Sequence, residues 1–320
     1  MILADYFLSE PSVQWKLGKQ LGVNHAVVRL PEDPEFDIAN PAHIKAVADR
    51  FKEGGLHPLV VEPMPNYVHD HIKRGDAMRD ECIEKVIKMI PSLAENGWET
   101  ICTNFCAEVG WYRTTSTFLE RGGALVTGFD LKDANIDPKL SIDEDTVWAN
   151  LEYFLKAVVP VCEQYGIKIG LHPDDPPLKK LGNVSRILIS KANIQKALDL
   201  VPSPNLGVTM CQANYLAMGE DVYDCIEHFG KQNKIFFVHF RDIAGNGECF
   251  HETFHDNGPT DMVKALSCYR DVGFDGPIRV DHVPTMAGEV NGRPGYESMG
   301  RLYAIGYLRG IAEAIGYPLR

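Results

Sequence analysis

The sequence predicts an α/β fold of the closed parallel type, a (β/α)8 TIM barrel forming a single domain over residues 1–320. Three observations lead to it. Short runs of β-branched and apolar residues alternate with longer stretches of helical period, the pattern of successive βαβ units. A chain of 320 residues gives each of eight units about 40 residues, ample for a barrel whose usual size is about 250 residues before insertions. No G-x-G-x-x-G follows any candidate strand, although the first turn of an open, doubly wound sheet usually carries one.

The first clear strand is 26–30, Ala-Val-Val-Arg-Leu, followed by an amphipathic helix over 42–52. Residues 58–62 and the helix 76–95 form the next unit, and 99–103 opens the one after. Residues 124–129 have strand composition and read either as an eighth strand or as a hairpin on a long loop. The stretch 130–141, with mixed charges and Pro138, is the most loop-like. The helix pattern 143–164 leads to a strand at 167–171, the helix 191–200 to 206–210, and the helix 221–230 to 235–238. A helix over 261–271, a strand at 277–280 and a closing helix over 296–314 complete the series. No internal repeat, low-complexity tract or flexible linker interrupts it.

The formal net charge of −12 makes the chain a poor generic partner for phosphate backbones and anionic lipid, which sets nucleic acid and membrane surfaces aside. No window approaches the roughly 18 apolar residues of a membrane span, and the start has no basic segment leading into a long apolar run. A cytoplasmic location is expected. The eight cysteines are scattered, so reduced thiols are the better default than a disulfide framework, and a thiol is then available as a ligand. A homo-oligomer is left open.

In a parallel barrel the carboxyl ends of all strands open onto one mouth. Four of them carry ligand chemistry here: 167–171 runs into His172, 206–210 into Cys211, 235–238 into His239, and 277–280 into Asp281. Taken singly, each has an ordinary explanation: a hydrogen-bonded rim histidine, a small buried cysteine, an aspartate capping a turn. Turn chemistry does not select a metal-competent donor at four successive strand ends, so together they predict a metal site. One thiolate, two imidazoles and one carboxylate suit Mn, Fe(II), Co or Zn better than Mg or Ca. The short cysteine spacings of closed structural zinc are absent.

The residues around these ligands resemble the mannonate dehydratase family, metal-dependent enzymes on a xylose-isomerase-like TIM barrel. The matching pieces are His172-Pro-Asp-Asp-Pro-Pro177, Cys211, His239-Phe-Arg-Asp242, Phe250-His-Glu-Thr-Phe-His255 with Asp261-Met262, Asp281-His282, and Gly295-Tyr296 leading into Gly300-Arg-Leu-Tyr. Thr103-Asn-Phe105 with Trp111-Tyr-Arg113 looks like a further segment, and the likeness covers roughly residues 60 to 315. It implies that His172, Cys211, His239 and Asp281 hold a divalent metal, Mn2+ or Fe2+, and that His282 and Tyr296 are the catalytic pair. Two departures bear on the pocket. Val283-Pro284 stands where the family usually has Gly after Asp-His, which predicts a narrower or reshaped substrate pocket, and Cys106-Ala107 replaces Met-Pro.

The activity so implied is dehydration of a sugar acid, D-mannonate to 2-keto-3-deoxy-D-gluconate. It needs a feebly acidic C2 proton removed and a poor leaving group, the C3 hydroxyl, expelled. Tyr296 is expected to take the C2 proton and His282 to protonate the departing hydroxyl, though the sequence fits the reverse equally. Arg301 and the metal are expected to favour the phenolate. Arg113, Arg241 and Arg301 are candidates to grip the substrate, with surface ion pairing as the alternative for each. Glu252 and His255, with His251, form a substrate-facing segment or else a solvated turn. The rival activities are a metal-dependent isomerase or epimerase and a noncatalytic sugar-acid sensor.

Overall fold

In the computed structural model, which describes residues 1–320, eight parallel strands close into a barrel. In chain order they are β1 (Ile2–Leu8), β2 (His25–Arg29), β3 (His57–Val61), β4 (Thr100–Thr103), β5 (Lys168–Leu171), β6 (Leu206–Cys211), β7 (Ile235–Phe240) and β8 (Pro277–Val280). Each pairs with its neighbours in sequence, and β8 returns to β1. The eighth strand is therefore the amino-terminal segment, with Ile2 and Leu3 beside Pro277 and Ile278. Asp5 disguises it in sequence, because a carboxylate among apolar residues reads as a break. In the fold Asp5 is buried and ion-paired with Arg301.

Leu125–Asp130 takes the hairpin alternative. It lies in a four-stranded antiparallel sheet with Thr115–Leu119, Cys249–Glu252 and Ile243–Asn246. These strands belong to the loops leaving β4 and β7, so the sheet stands at the carboxyl-terminal mouth of the barrel. Phe129, Ile243 and Phe250 give it a small apolar core with Leu181, Ala213 and Ala217.

The helices are α1 (Val13–Gln20), α2 (Pro41–Glu53), α3 (Asn66–Arg74), α4 (Arg79–Asn96), α5 (Glu144–Tyr165), α6 (Lys191–Asp199), α7 (Gln212–Ala217), α8 (Val222–Lys231), α9 (Met262–Asp271) and α10 (Ser298–Ala314). The short α1, α3 and α7 have too few turns for a clear apolar period and are additional to the expected set. Asp143, Asp221 and Asp261, which open three of the expected helices, are N-caps whose carboxylates accept first-turn N–H groups. α5 shows how the ring is attached: Val147, Leu151, Phe154 and Val158 are buried on its inner face, and Gly166 ends it at φ 72°, a conformation cheap only for glycine. α10 begins at Ser298, later than expected, which leaves Tyr296 on the preceding loop.

A smaller cluster of Ala4, Val27, Leu59, Val60, Cys102 and Phe237 joins five of the strands. The Phe237 ring meets the His239 ring edge-on at 4.7 Å, so this apolar layer supports His239 directly.

Candidate active site

Parallel register assembles the four expected ligands. Cys211 at the end of β6 lies beside His239 of β7, and His239 lies beside Arg279 of β8, two residues before Asp281. His172 follows β5 directly, its backbone N–H donating to the Thr103 carbonyl at 2.8 Å. His172 Nε2 and His239 Nδ1 are 3.2 Å apart, Cys211 Sγ lies within 4.8 Å of both, and Asp281 Oδ2 is 3.5 Å from His239 Nδ1. Two nitrogens each about 2.1 Å from one ion, about 100° apart, are separated by about 3.2 Å, so the donor set fits joint ligation.

The groups behind these donors fix which nitrogen faces the ion. His172 Nδ1 lies 2.6 Å from the Pro173 carbonyl, which only an N–H can satisfy, leaving the Nε2 lone pair free. Burial lowers the His172 imidazole, favouring the neutral form a ligand needs. On the other side, His239 Nε2 lies 2.9 Å from Glu62 Oε1, directing Nδ1 at the cluster. Glu62 follows β3 and is held in turn by Arg279 Nε at 3.0 Å. Against the cost of burial, Arg279 and His239 pull its carboxyl down to about 2. Sequence reasoning passed over Glu62, although the strand-end rule that found Asp281 applies to it equally. Glu62→Gln is expected to weaken Mn(II) binding by about 10- to 100-fold with the fold intact, the usual cost of losing such a partner. Titration calorimetry checks this, and unchanged affinity would remove Glu62 from the site.

A second constellation adjoins the first. His282 Nδ1 lies 3.0 Å from Glu252 Oε1, and His282 Nε2 lies 3.2 Å from the Tyr296 hydroxyl. Burial would raise Glu252, but Arg241, His282 and Arg113 hold it down to about 2, so it accepts and His282 Nδ1 must donate. The His282 Nε2 lone pair of the neutral ring then faces Tyr296, whose phenol burial, with Asp281 nearby, pushes well above its ordinary value. His282 adopts φ 37°, a left-handed conformation unusual for a non-glycine residue, and its ring packs against Trp111 and Tyr296 at 5.2 and 5.4 Å.

Buried arginines tie the two constellations together. Arg241 donates to Glu252 Oε2 at 2.8 Å, to Asp175 Oδ2 at 2.9 Å and to Asn214 Oδ1 at 2.7 Å, and its Nε lies 3.0 Å from Asp281 Oδ2. Arg279 donates to Asp281 Oδ1 at 2.7 Å. Burial alone would raise Asp281, yet Arg279, His282, His239 and Arg241 hold its carboxyl well below the usual range. His172, His239, Asp281, His282 and Tyr296 line one cavity of about 380 Å3, together with Tyr6, Arg29, Asn104, Cys106, Trp111 and Arg293, and Cys211 lies buried behind the two histidines. That volume suits a six-carbon acid.

The D-mannonate dehydratase family model matches residues 3–140 and 134–318. The chain belongs to that family. It is 37% identical over 302 residues to mannonate dehydratase 2 of Halalkalibacterium halodurans, covering 85% of this chain and 86% of that one. The crystal structure of mannonate dehydratase from Streptococcus suis superposes with a TM-score of 0.90 at 28% identity, covering 100% of this chain and 97% of that one. A D-psicose 3-epimerase structure matches at a TM-score of 0.63 and 13% identity over 99% of this chain, a likeness of barrel fold alone. As a member of the mannonate dehydratase family the protein is a metal-dependent sugar-acid hydro-lyase on a xylose-isomerase-like barrel.

Several expected contacts of this dehydratase fall elsewhere. Arg301 is buried against Asp5 and the Tyr6 carbonyl and does not line the cavity; the cation beside Tyr296 is Arg279. Arg113 donates to Asp175 at 2.9 Å and to Glu252 at 2.8 Å and does not line the cavity. Arg241 is no surface residue, being 1% exposed. Glu252 touches His282 rather than open cavity, and His255 is buried behind it, where desolvation lowers its imidazole to about 4. Val283 does not narrow the pocket. Its side chain turns into the core against Gly300, and its backbone bonds Gly295.

No helix is long and apolar enough to cross a membrane.

Proposed function

We propose that the protein dehydrates D-mannonate to 2-keto-3-deoxy-D-gluconate, with Mn2+ or Fe2+ held by His172, Cys211, His239 and Asp281. One observation carries this reading: His172, His239 and Asp281, with Cys211 clustered behind the histidines, and the His282–Tyr296 pair, held from behind by Glu252, line the same sugar-sized cavity. Bound there, the ion supplies Lewis-acid stabilisation of the negative charge that develops as the C2 proton leaves. Eight free cysteines, Cys211 among them, support a reducing cytoplasmic setting.

The proton assignments follow from the hydrogen bonds and reverse the expected division. Glu252 fixes His282 with its Nε2 lone pair toward the cavity, making Nε2 the base at C2. Tyr296 holds its proton and delivers it from the hydroxyl to the departing C3 oxygen. Glu252, by keeping Nδ1 protonated, stabilises the imidazolium that forms.

The substrate's negative charge needs a cation against a background of −12. Of the cavity arginines, Arg241 and Arg279 are neutralised by buried acids, and Arg29 pairs with Glu32 at 2.7 Å. Arg293 lines the cavity with no acidic partner, and it fits the substrate carboxylate best. Arg293→Met is expected to raise KM by about 10-fold or more with a smaller change in kcat, the loss of one charge-assisted contact. Initial-rate kinetics would show it, and an unchanged KM would exclude the contact.

Incubating Mn(II)-loaded protein with D-mannonate tests the activity itself. Formation of a 2-keto-3-deoxy acid is expected, whereas an epimeric aldonate without keto acid would favour an epimerase, and binding without turnover a sensor.

A further inference from the structure

We propose that this enzyme replaces the C3 hydroxyl by hydrogen with retention of configuration, because one face of the substrate carries all the proton chemistry. The inference rests on the dehydratase reading and extends it to the fate of C3. The observation behind it is the 3.2 Å separation of His282 Nε2 and the Tyr296 hydroxyl. An acid and a base on opposite faces of the C2–C3 bond each need about 3 Å of hydrogen-bond reach, which places them about 6 Å apart or more. Two groups in direct hydrogen-bond contact lie on one face.

The other acids and thiols that line the cavity are held by protein partners, Cys102 by Glu62 Oε1 at 3.4 Å and Thr209 at 3.3 Å. Asp175 is occupied by Arg113 and Arg241, and Glu62 by Arg279 and His239. The Cys106 thiol donates to Asp174 Oδ1 at 3.1 Å and accepts from Arg186 at 3.2 Å. Tyr6, the remaining phenol, packs its ring 5.3 Å from that of Tyr296, and its hydroxyl accepts from Arg29 at 3.4 Å.

The reaction then runs in two balanced halves. In the first, the C2–H electron pair becomes the C2=C3 bond, the C3–O pair leaves with the hydroxyl, and the pair of residues accepts the C2 proton while giving one to the leaving oxygen, which departs as water. In the second, the enol's O2–H proton is lost to the pair, the C=C electrons form a new C3–H bond, and the pair supplies that proton. The first half leaves His282 protonated and Tyr296 deprotonated, and the second restores both, the Tyr296 oxygen taking the O2 proton and His282 Nε2 supplying the one that goes to C3. Water departs from the side on which they stand, so the new hydrogen arrives at C3 from the side the hydroxyl vacated.

The test uses the Mn(II)-loaded enzyme and D-mannonate deuterated at C3, in ordinary water. The product then holds one deuterium and one hydrogen at C3 whatever the origin of the new proton, and NMR of its cyclic form assigns each position. The expected result is hydrogen at the position vacated by the hydroxyl in a large majority of molecules. Hydrogen on the opposite side would overturn the proposal, as would an even mixture, which signals an enol released to solvent. Formation of no 2-keto-3-deoxy acid would overturn the dehydratase reading itself and this proposal with it. A product with the wrong C3 configuration leaves that reading standing.

Discussion

Cys211→Ser will strip the enzyme of its metal and its activity together. The Cys211 sulfur sits where β6 ends, fully buried, and shares the cluster with His172 and His239. A serine hydroxyl matches the thiol in shape but is far more weakly acidic, so it offers the ion a neutral, weaker donor where a thiol can ligate as an anion. Losing even an outer partner of a ligand typically costs 10- to 100-fold in metal affinity. Loss of a ligand is therefore expected to cost at least about 100-fold, with kcat falling in step with occupancy. Because the substitution is nearly isosteric and Cys211 stands at the end of its strand, the barrel should keep its far-UV circular dichroism. Elemental analysis reads the outcome, and a variant with wild-type manganese or iron would show that Cys211 is not a ligand.

The clustering of the four candidate donors was legible because barrel topology converts distance along the chain into proximity: four strand ends about one repeat apart must share a mouth. The same rule, applied to acids alone, would have reached Glu62. What the sequence hid was which charges are already satisfied. Arg113, Arg241, Arg279 and Arg301 look alike in a string of letters, yet each is bound to carboxylates contributed by other strands or loops, Arg301 to Asp5 at the far end of the chain. Burying such cations unpaired would be prohibitive, so the fold pairs them with acids, and Arg293 is left at the cavity without an acidic partner. Asp5 conceals β1 for the same reason, since its partner is visible only after folding. The loop register of Tyr296 was equally out of reach: helical period runs back to 296, but α10 starts at Ser298, and the difference decides whether a phenol faces its own helix or His282.

Tyr296→Phe separates the two halves of the proposed chemistry. Only a hydroxyl is removed. The ring stays packed on Tyr6, at 5.3 Å, and the lost hydrogen bond to His282 Nε2 is worth about 1 kcal/mol of stability, so the variant should fold and bind Mn(II) as the wild type does. Its kcat is expected to fall by about 100- to 10,000-fold, the range for loss of a positioned general acid, with KM little changed. Retained turnover would take Tyr296 out of the mechanism. The division of labour is read from the recovered substrate. If His282 is the base, as Glu252 behind its Nδ1 dictates, the variant still lifts the C2 proton while the C3 hydroxyl has no donor, and D-mannonate recovered from deuterium oxide carries deuterium at C2. If Tyr296 is the base, removing its oxygen abolishes both halves, and the recovered acid stays unlabelled. Glu252→Gln supplies the complementary case: an amide no longer stabilises a positive charge on His282, so C2 exchange and turnover should be lost together while Tyr296 keeps its proton.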